Sequence, residues 1–232
     1  MKYLISLSGG LDSAVLLGQL VTSGPVRSGY RPADLTAVAF TYGSKHNALE
    51  NRASQAVAAH YGVPWRLVDL TAAFAPFKSD LLLSGGAVPE GHYEAESMRR
   101  TVVPCRNLIF LSLLGGLAES AGAAEVYIGA HAGDHHIYPD CRPEFLTAAR
   151  QAVRLATDGA VTVLAPFTGM TKGDIVRLGL SLGVPLHLTR TCYTDGEVAC
   201  GRCGSCQERL EAFAQCDAVD PVPYLHRDLL PK

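Results

Sequence analysis

Ser8, Gly9, Gly10, Leu11, Asp12 and Ser13 lie between the apolar run Tyr3-Leu4-Ile5-Ser6-Leu7 and the helix-forming stretch Ala14-Val15-Leu16-Leu17. That order predicts a strand, a tight turn and a helix start. Two adjacent glycines let the backbone turn without a side-chain clash, so successive N–H groups converge on an anion while the helix N-terminus adds partial positive charge. Such a turn suits phosphate. It is neither the GxxxxGK[ST] loop nor the GxGxxG fingerprint. The competing reading is a Ser/Gly turn that only caps a helix through Asp12 or Ser13.

A second group with chemistry in it is Cys192, Cys200, Cys203 and Cys206, spaced C-x7-C-x2-C-x2-C with glycines at 196, 201 and 204. Four thiolates satisfy tetrahedral zinc, and a C-x2-C turn brings two sulfurs to one ion at about 2.3 Å. One structural zinc is the expectation. Iron–sulfur ligation is the rival, since C-x2-C-x2-C occurs there too, although the usual fourth Cys-Pro is missing; a redox-active pair is the remaining reading. Closed four-thiolate sites leave no open position, so the expected role is to fold the tail. Cys105, Cys141 and Cys216 read as small buried residues.

The elements that must position these groups alternate along the first two thirds of the chain. Strands are expected at 2–7, 35–41, 65–70, 125–130 and 161–165. Helices are expected at 12–22, 46–61, 107–121 and 144–157, with apolar residues at spacings of three and four, and a further helix from about Thr171 to Gly183. This is the pattern of an α/β fold with a parallel sheet flanked by helices. Two segments break the rhythm. Residues 72–102 mix Pro, Gly, Ser and charge and read as a mobile excursion at the mouth of the site, either a lid or a tolerated insertion. Residues 189–216 hold too few apolar residues to fold unaided. The division expected is a nucleotide-binding and catalytic domain at 1–188 and a zinc-binding segment at 189–232 packed on it.

With 232 residues, 18% charged and 48% hydrophobic, the chain has the profile of a compact α/β enzyme. A net charge of −2 gives no basic footprint, which disfavours extended nucleic-acid or anionic-membrane binding. No apolar run approaches membrane-spanning length, and Met1-Lys2-Tyr3 leads straight into the first strand. The expectation is a cytoplasmic protein with no membrane or nucleic-acid partner, whose cysteines are thiols or metal ligands.

The hexapeptide resembles the pyrophosphatase loop, SGGxDS, of the ATP-pyrophosphatase superfamily, which implies adenylation of an oxygen with release of pyrophosphate and a Rossmann-like fold of the adenine nucleotide alpha hydrolase type. Over nearly its full length the chain resembles the 7-cyano-7-deazaguanine synthase family. The resemblance rests on SGGLDS at 8–13, Tyr42-Gly43 followed by His46, VPCRN at 103–107 and FLSLLGGLAE at 110–119. It continues through YPDCRPEF at 138–145, Thr171-Lys172, the cysteine cluster with Arg209 and Ala212-Phe213 behind it, and Asp220-Pro221-Val222-Pro223-Tyr224. Before Tyr138 the family commonly has a small connection, where this chain has Gly133-Asp134-His135-His136-Ile137.

The resemblance implies an ATP-dependent ligase forming carbon–nitrogen bonds in queuosine or deazapurine biosynthesis. It would convert 7-carboxy-7-deazaguanine and ammonia to the nitrile through an adenylated carboxylate and then an adenylated amide, in a homodimer. Enzymes that stop at the amide, act on another carboxylate or transfer sulfur to tRNA are the alternatives. Ser8 to Ser13 would cradle pyrophosphate, with Asp12 orienting the turn or a Mg²⁺ ion. Lys172 would stabilise developing charge, and Arg106 would hold phosphate or carboxylate. Asn107 reads equally as a cap. For the substrate, Asp134 or Asp140 would accept a guanine-like edge, Tyr138 would stack or hydrogen-bond, and Arg142 would meet the carboxylate. His131, His135 and His136 are candidate proton relays.

Overall fold

The computed structural model describes residues 2–23 and 31–229, without the side chains of Ser23 and His135. Its strands are β1 (Tyr3–Ser6), β2 (Leu35–Thr41), β3 (Trp65–Asp69), β4 (Glu125–Tyr127) and β5 (Thr162–Leu164). All neighbours pair in parallel in the order β3-β2-β1-β4-β5, with Ile5 facing Ala37 on one side and Tyr127 on the other. The helices are α1 (Leu11–Ser23), α2 (Asn47–His60), α3 (Thr71–Phe74), α4 (Arg106–Ser120), α5 (Pro143–Ala156), α6 (Lys172–Ser181) and α7 (Gly204–Ala214).

Alternate strand residues point to opposite faces, and a parallel sheet needs both faces covered. Leu4, Val38, Phe40 and Val126 accordingly join α4, α5 and part of 72–103 in one core. Ile5, Leu35, Ala37 and Tyr127 join α1, α2, α6 and α7 in the other. From β1 the chain moves outward through β2 to β3, then returns to the other side of β1 for β4 and β5. This reversal opens a crevice at the carboxyl ends of β1 and β4, where ligands of doubly wound sheets sit.

The strands and most helices fall where the sequence pattern predicts, with β4 ending at Tyr127 instead of 130. Residues 132–136 there form a turn of 3₁₀-helix. Two expectations are corrected. Residues 72–102 do not stand away from the body: Phe74, Leu81, Leu82, Tyr93 and Met98 are buried in the core. Glu90 bridges to Cys203, and the Gly91 N–H donates to the Arg202 carbonyl, tying the segment to the cysteine loop. The cysteine-rich stretch also contains a helix, α7, whose Ala212 and Phe213 enter the same core as α1. Its Arg209 is 1% exposed and grips Asp220 through two hydrogen bonds of 2.7 and 3.0 Å, while also donating to Thr189, Thr191 and the Leu186 carbonyl. A buried guanidinium with its donors so engaged fixes α7 to the tail.

Candidate active site

The crevice is lined by the turn between β1 and α1. Gly9 has φ +87°, and a Cβ there would lie 2.3 Å from the Glu50 carbonyl oxygen and 2.7 Å from the Ser54 nitrogen. Only glycine lets the turn pack this closely on α2. Ser8 Oγ accepts from the Gly10 N–H at 3.2 Å and lies 3.1 Å from Ser13 Oγ, so the two hydroxyls flank the start of α1. Ser8, Gly10, Leu11, Asp12 and Ser13 all face a cleft that is open to solvent.

Lys172 closes one wall. It is the first residue of α6, held by a capping box in which Thr171 Oγ1 accepts from the Asp174 N–H and Asp174 accepts from the Thr171 N–H. Its Nζ lies 2.7 Å from Asp12 Oδ2, 3.2 Å from Glu208 Oε2 and 3.2 Å from His131 Nε2, with the residue only 8% exposed. Burial by itself would favour the neutral amine, but Asp12, Glu208 and Asp134 outweigh it and hold the ammonium well above its ordinary value. His131 Nδ1 accepts from the Gly133 N–H, and Nε2 faces Asp134 and Asp12 at 3.6 and 3.7 Å. Tyr93, from the 72–102 segment, donates to Asp134 Oδ1 at 2.7 Å. Burial pushes Asp134 up, but His131, Lys172 and that hydrogen bond prevail and keep it ionised below its ordinary value.

The cleft is also lined by Arg106, His46, Glu50 and Arg190. Arg106 opens α4 and lies 5.9 Å from the centre of the Tyr42 ring, its Nη1 3.4 Å from the Tyr42 hydroxyl. Arg190 is pinned by the carbonyls of Thr194, Gly196 and Glu197, and its own N–H donates to the Gly9 carbonyl. The crevice therefore holds a lysine among acids as well as two arginines.

Behind the cleft, the sulfurs of Cys192, Cys200, Cys203 and Cys206 lie within 4.8 Å of one another, with Cys200 and Cys206 4.0 Å apart. A metal ion fits such a group, because ligands at about 2.3 Å from one tetrahedral centre are about 3.8 Å apart. N–H groups of Cys200, Arg202 and Cys203 point at the sulfurs of Cys192 and Cys200 from 3.3 to 3.4 Å, stabilising thiolates. Gly201 has φ +77°, and a Cβ would collide with the His226 carbonyl of the tail lying across the loop.

The family model described as queuosine biosynthesis protein QueC matches residues 2–217. The chain belongs to the QueC family. It is 44% identical over 222 residues to the 7-cyano-7-deazaguanine synthase of Desulfotalea psychrophila, covering 96% of this chain and 98% of that one. It is 45% identical over 217 residues to that of Hahella chejuensis, covering 94% and 90%, and 44% identical over 221 residues to that of Porphyromonas gingivalis, covering 95% and 96%. Among the described residues no helix is long and apolar enough to cross a membrane.

In this QueC family member the sequence-derived candidates separate. Ser8, Gly10, Leu11, Asp12, Ser13, Lys172, Arg106 and Asp134 converge on the cleft and Gly9 packs against α2, while Tyr138, Asp140 and Arg142 do not line the cleft. Tyr138 is buried, bonded to Thr101 and Tyr193 at 2.8 and 3.0 Å, its hydroxyl pushed by burial up to about 12. Asp140 caps α4 from a distance, accepting from the Asn107 N–H at 2.9 Å, and Asn107 Nδ2 returns a bond to the Asp140 carbonyl. Arg142 is the half-buried residue before α5. Of the histidines, His131 belongs to the cluster, His136 is exposed, and the His135 side chain lies outside the described residues. Cys105 is exposed at a left-handed φ of +55°, contrary to its expected burial; Cys141 is buried and Cys216 half-buried. Glu208, Glu50, Arg190, Tyr93 and Tyr193 line the cleft without a sequence signal that marked them.

Proposed function

We propose that the protein is a 7-cyano-7-deazaguanine synthase, an ATP-dependent ligase that converts 7-carboxy-7-deazaguanine and ammonia to the nitrile. The observation that carries this reading is that the Ser8–Ser13 turn, Lys172 and Arg106 open into one cleft in a member of this family. A carboxylate is a poor acyl donor, and transfer of AMP to its oxygen, with pyrophosphate leaving, creates an anhydride that ammonia attacks. The amide formed is adenylated on its oxygen in a second round, and loss of AMP leaves the C≡N bond.

In this scheme Ser8, Gly9, Gly10, Leu11 and Ser13 cradle the departing pyrophosphate, and Lys172 meets the charge that develops as it leaves. Asp12 Oδ1 is buried with no hydrogen-bond partner among the described residues, which suits a Mg²⁺ ion; bound there, it would neutralise phosphate charge. Arg106 takes the carboxylate through its planar fork. Asp134, kept ionised, accepts the two adjacent N–H donors of a guanine-like edge. Tyr138, Asp140 and Arg142 serve instead by holding the loop that presents Asp134.

The metal at Cys192, Cys200, Cys203 and Cys206 is one zinc. The support is the sulfur spacing, since an iron–sulfur cluster would put its inorganic core between the thiolates and spread them further apart. Assembly as a homodimer and a cytoplasmic location belong to the same proposal. Mass spectrometry of products after incubation with 7-carboxy-7-deazaguanine, ammonium, Mg²⁺ and ATP tests it. Nitrile with AMP is the expected result; amide alone, or no turnover, would overturn the assignment.

A further inference from the structure

The proposed reaction sheds one proton from nitrogen in its first round and two in its second, and most acids in the cleft are unable to take them. Asp12 and Glu208 are engaged by the Lys172 ammonium, and Asp134 by Tyr93 and His131. Glu50 differs. It stands one turn after His46 on α2, beside the phosphate turn, since its carbonyl packs against Gly9. Its carboxyl is 18% exposed and faces the cleft. Its ion-pair neighbour among the described residues is His46, whose Nε2 lies 3.4 Å from Glu50 Oε2.

Resting on the reading above, we infer that Glu50, backed by His46, is the base that takes the proton from the attacking nitrogen. Ammonia's lone pair forms the C–N bond at the adenylated carboxyl carbon, the C–O bond to AMP breaks with its electron pair on AMP, and one proton passes from nitrogen to Glu50. After the second adenylation, the nitrogen gives up its remaining two protons to Glu50 in turn, Glu50 passing each to solvent before taking the next, as the C–O bond to AMP breaks with its electron pair on AMP and C≡N forms. The groups facing Glu50 set its proton affinity: Arg106 from α4, Arg190 from the stretch before the cysteines, Tyr42 after β2, and His46, whose ring lies 5.5 Å from that of Tyr193. Burial pushes Glu50 up to about 8 against the pull of both arginines, and burial with Arg106 pushes His46 down to about 3. A neutral His46 cannot neutralise Glu50 but can share its proton, and a base poised near 8 is matched to work near neutrality.

Glu50→Gln keeps the shape and removes the base. Turnover is expected to fall at least about a hundredfold, while carboxylate-dependent exchange of label between pyrophosphate and ATP, which needs no proton from nitrogen, stays within about tenfold of native. At fixed free-ammonia concentration, the native kcat/KM should rise with pH towards about 8, and Glu50→Gln should lose that rise; Glu50→Asp should restore part of it. An independent sign follows from linkage. The folded value lies above the ordinary 4.5, so the native protein loses stability as pH rises from there to about 8, and the Tm of Glu50→Gln should gain on native over that window. Native-like turnover, a persisting pH rise, or exchange lost together with turnover would each overturn the inference. Absence of exchange in the native protein would instead remove the functional reading beneath it.

Discussion

Lys172→Met should reduce AMP formation on the order of a thousandfold, the cost of losing a pre-positioned donor at developing charge. The substitution does more than remove a ligand for phosphate. Lys172 is 8% exposed and answers Asp12 and Glu208 directly, so its loss leaves two largely buried acids without their cation. Breaking a buried pair in this way costs about 3–5 kcal/mol, and Tm should fall with it. Acidification should recover part of the Tm, because protonating Glu208, whose proton affinity burial already raises, removes the repulsion. It should not recover AMP formation. A folded Lys172→Met variant that keeps a tenth of the native rate would show that the phosphates are held without this ammonium.

Cys203→Ser should remove one equivalent of zinc, and the damage should be local. The sheet's two cores contain none of the four clustered cysteines, which pack in a small group of their own with Ala199 and Val222. Amide hydrogen exchange should therefore accelerate at 190–206 and at 88–95, the segment bridged to Cys203, while β1 and β2 stay protected. Turnover should fall about as far as for a lost catalytic group, on the order of a hundredfold, because Arg190, Tyr193 and Glu208 all hang on this loop and line the cleft. Retained zinc at one equivalent, or a brown protein as isolated, would refute the assignment.

The sheet was legible in the chain because its strands are short apolar runs bounded by turn residues, and the phosphate turn because six consecutive residues make it. What stayed hidden was set by direction and by distant partners. Asp134 and Asp140 stand in one stretch of sequence, yet one carboxylate enters the cleft and the other turns back to the Asn107 N–H. Helix α7 escaped notice because Gln207, Glu208 and Arg209 are buried, which erases the amphipathic stripe that marks a helix. Glu50 carried no motif that marked it. Its surroundings are supplied by Arg106 and Arg190, far along the chain. Residues 72–102 read as loop because their apolar residues follow no period, although five of them are core.

Helix α7 places Cys206 and Glu208 two positions apart, about 200° around its axis. One side of a single helical turn thus faces the cysteine cluster and the other the cleft. Binding at either side favours the same ordered turn, and such coupling runs equally in both directions. ATP held in the cleft should slow the escape of zinc to a chelator, by the same factor that zinc improves the affinity for ATP. Equal metal release with and without nucleotide would show that the two sides are independent. If they are coupled, the availability of zinc in the cell sets how much of this protein can hold its nucleotide, and a working enzyme guards its metal better than an idle one.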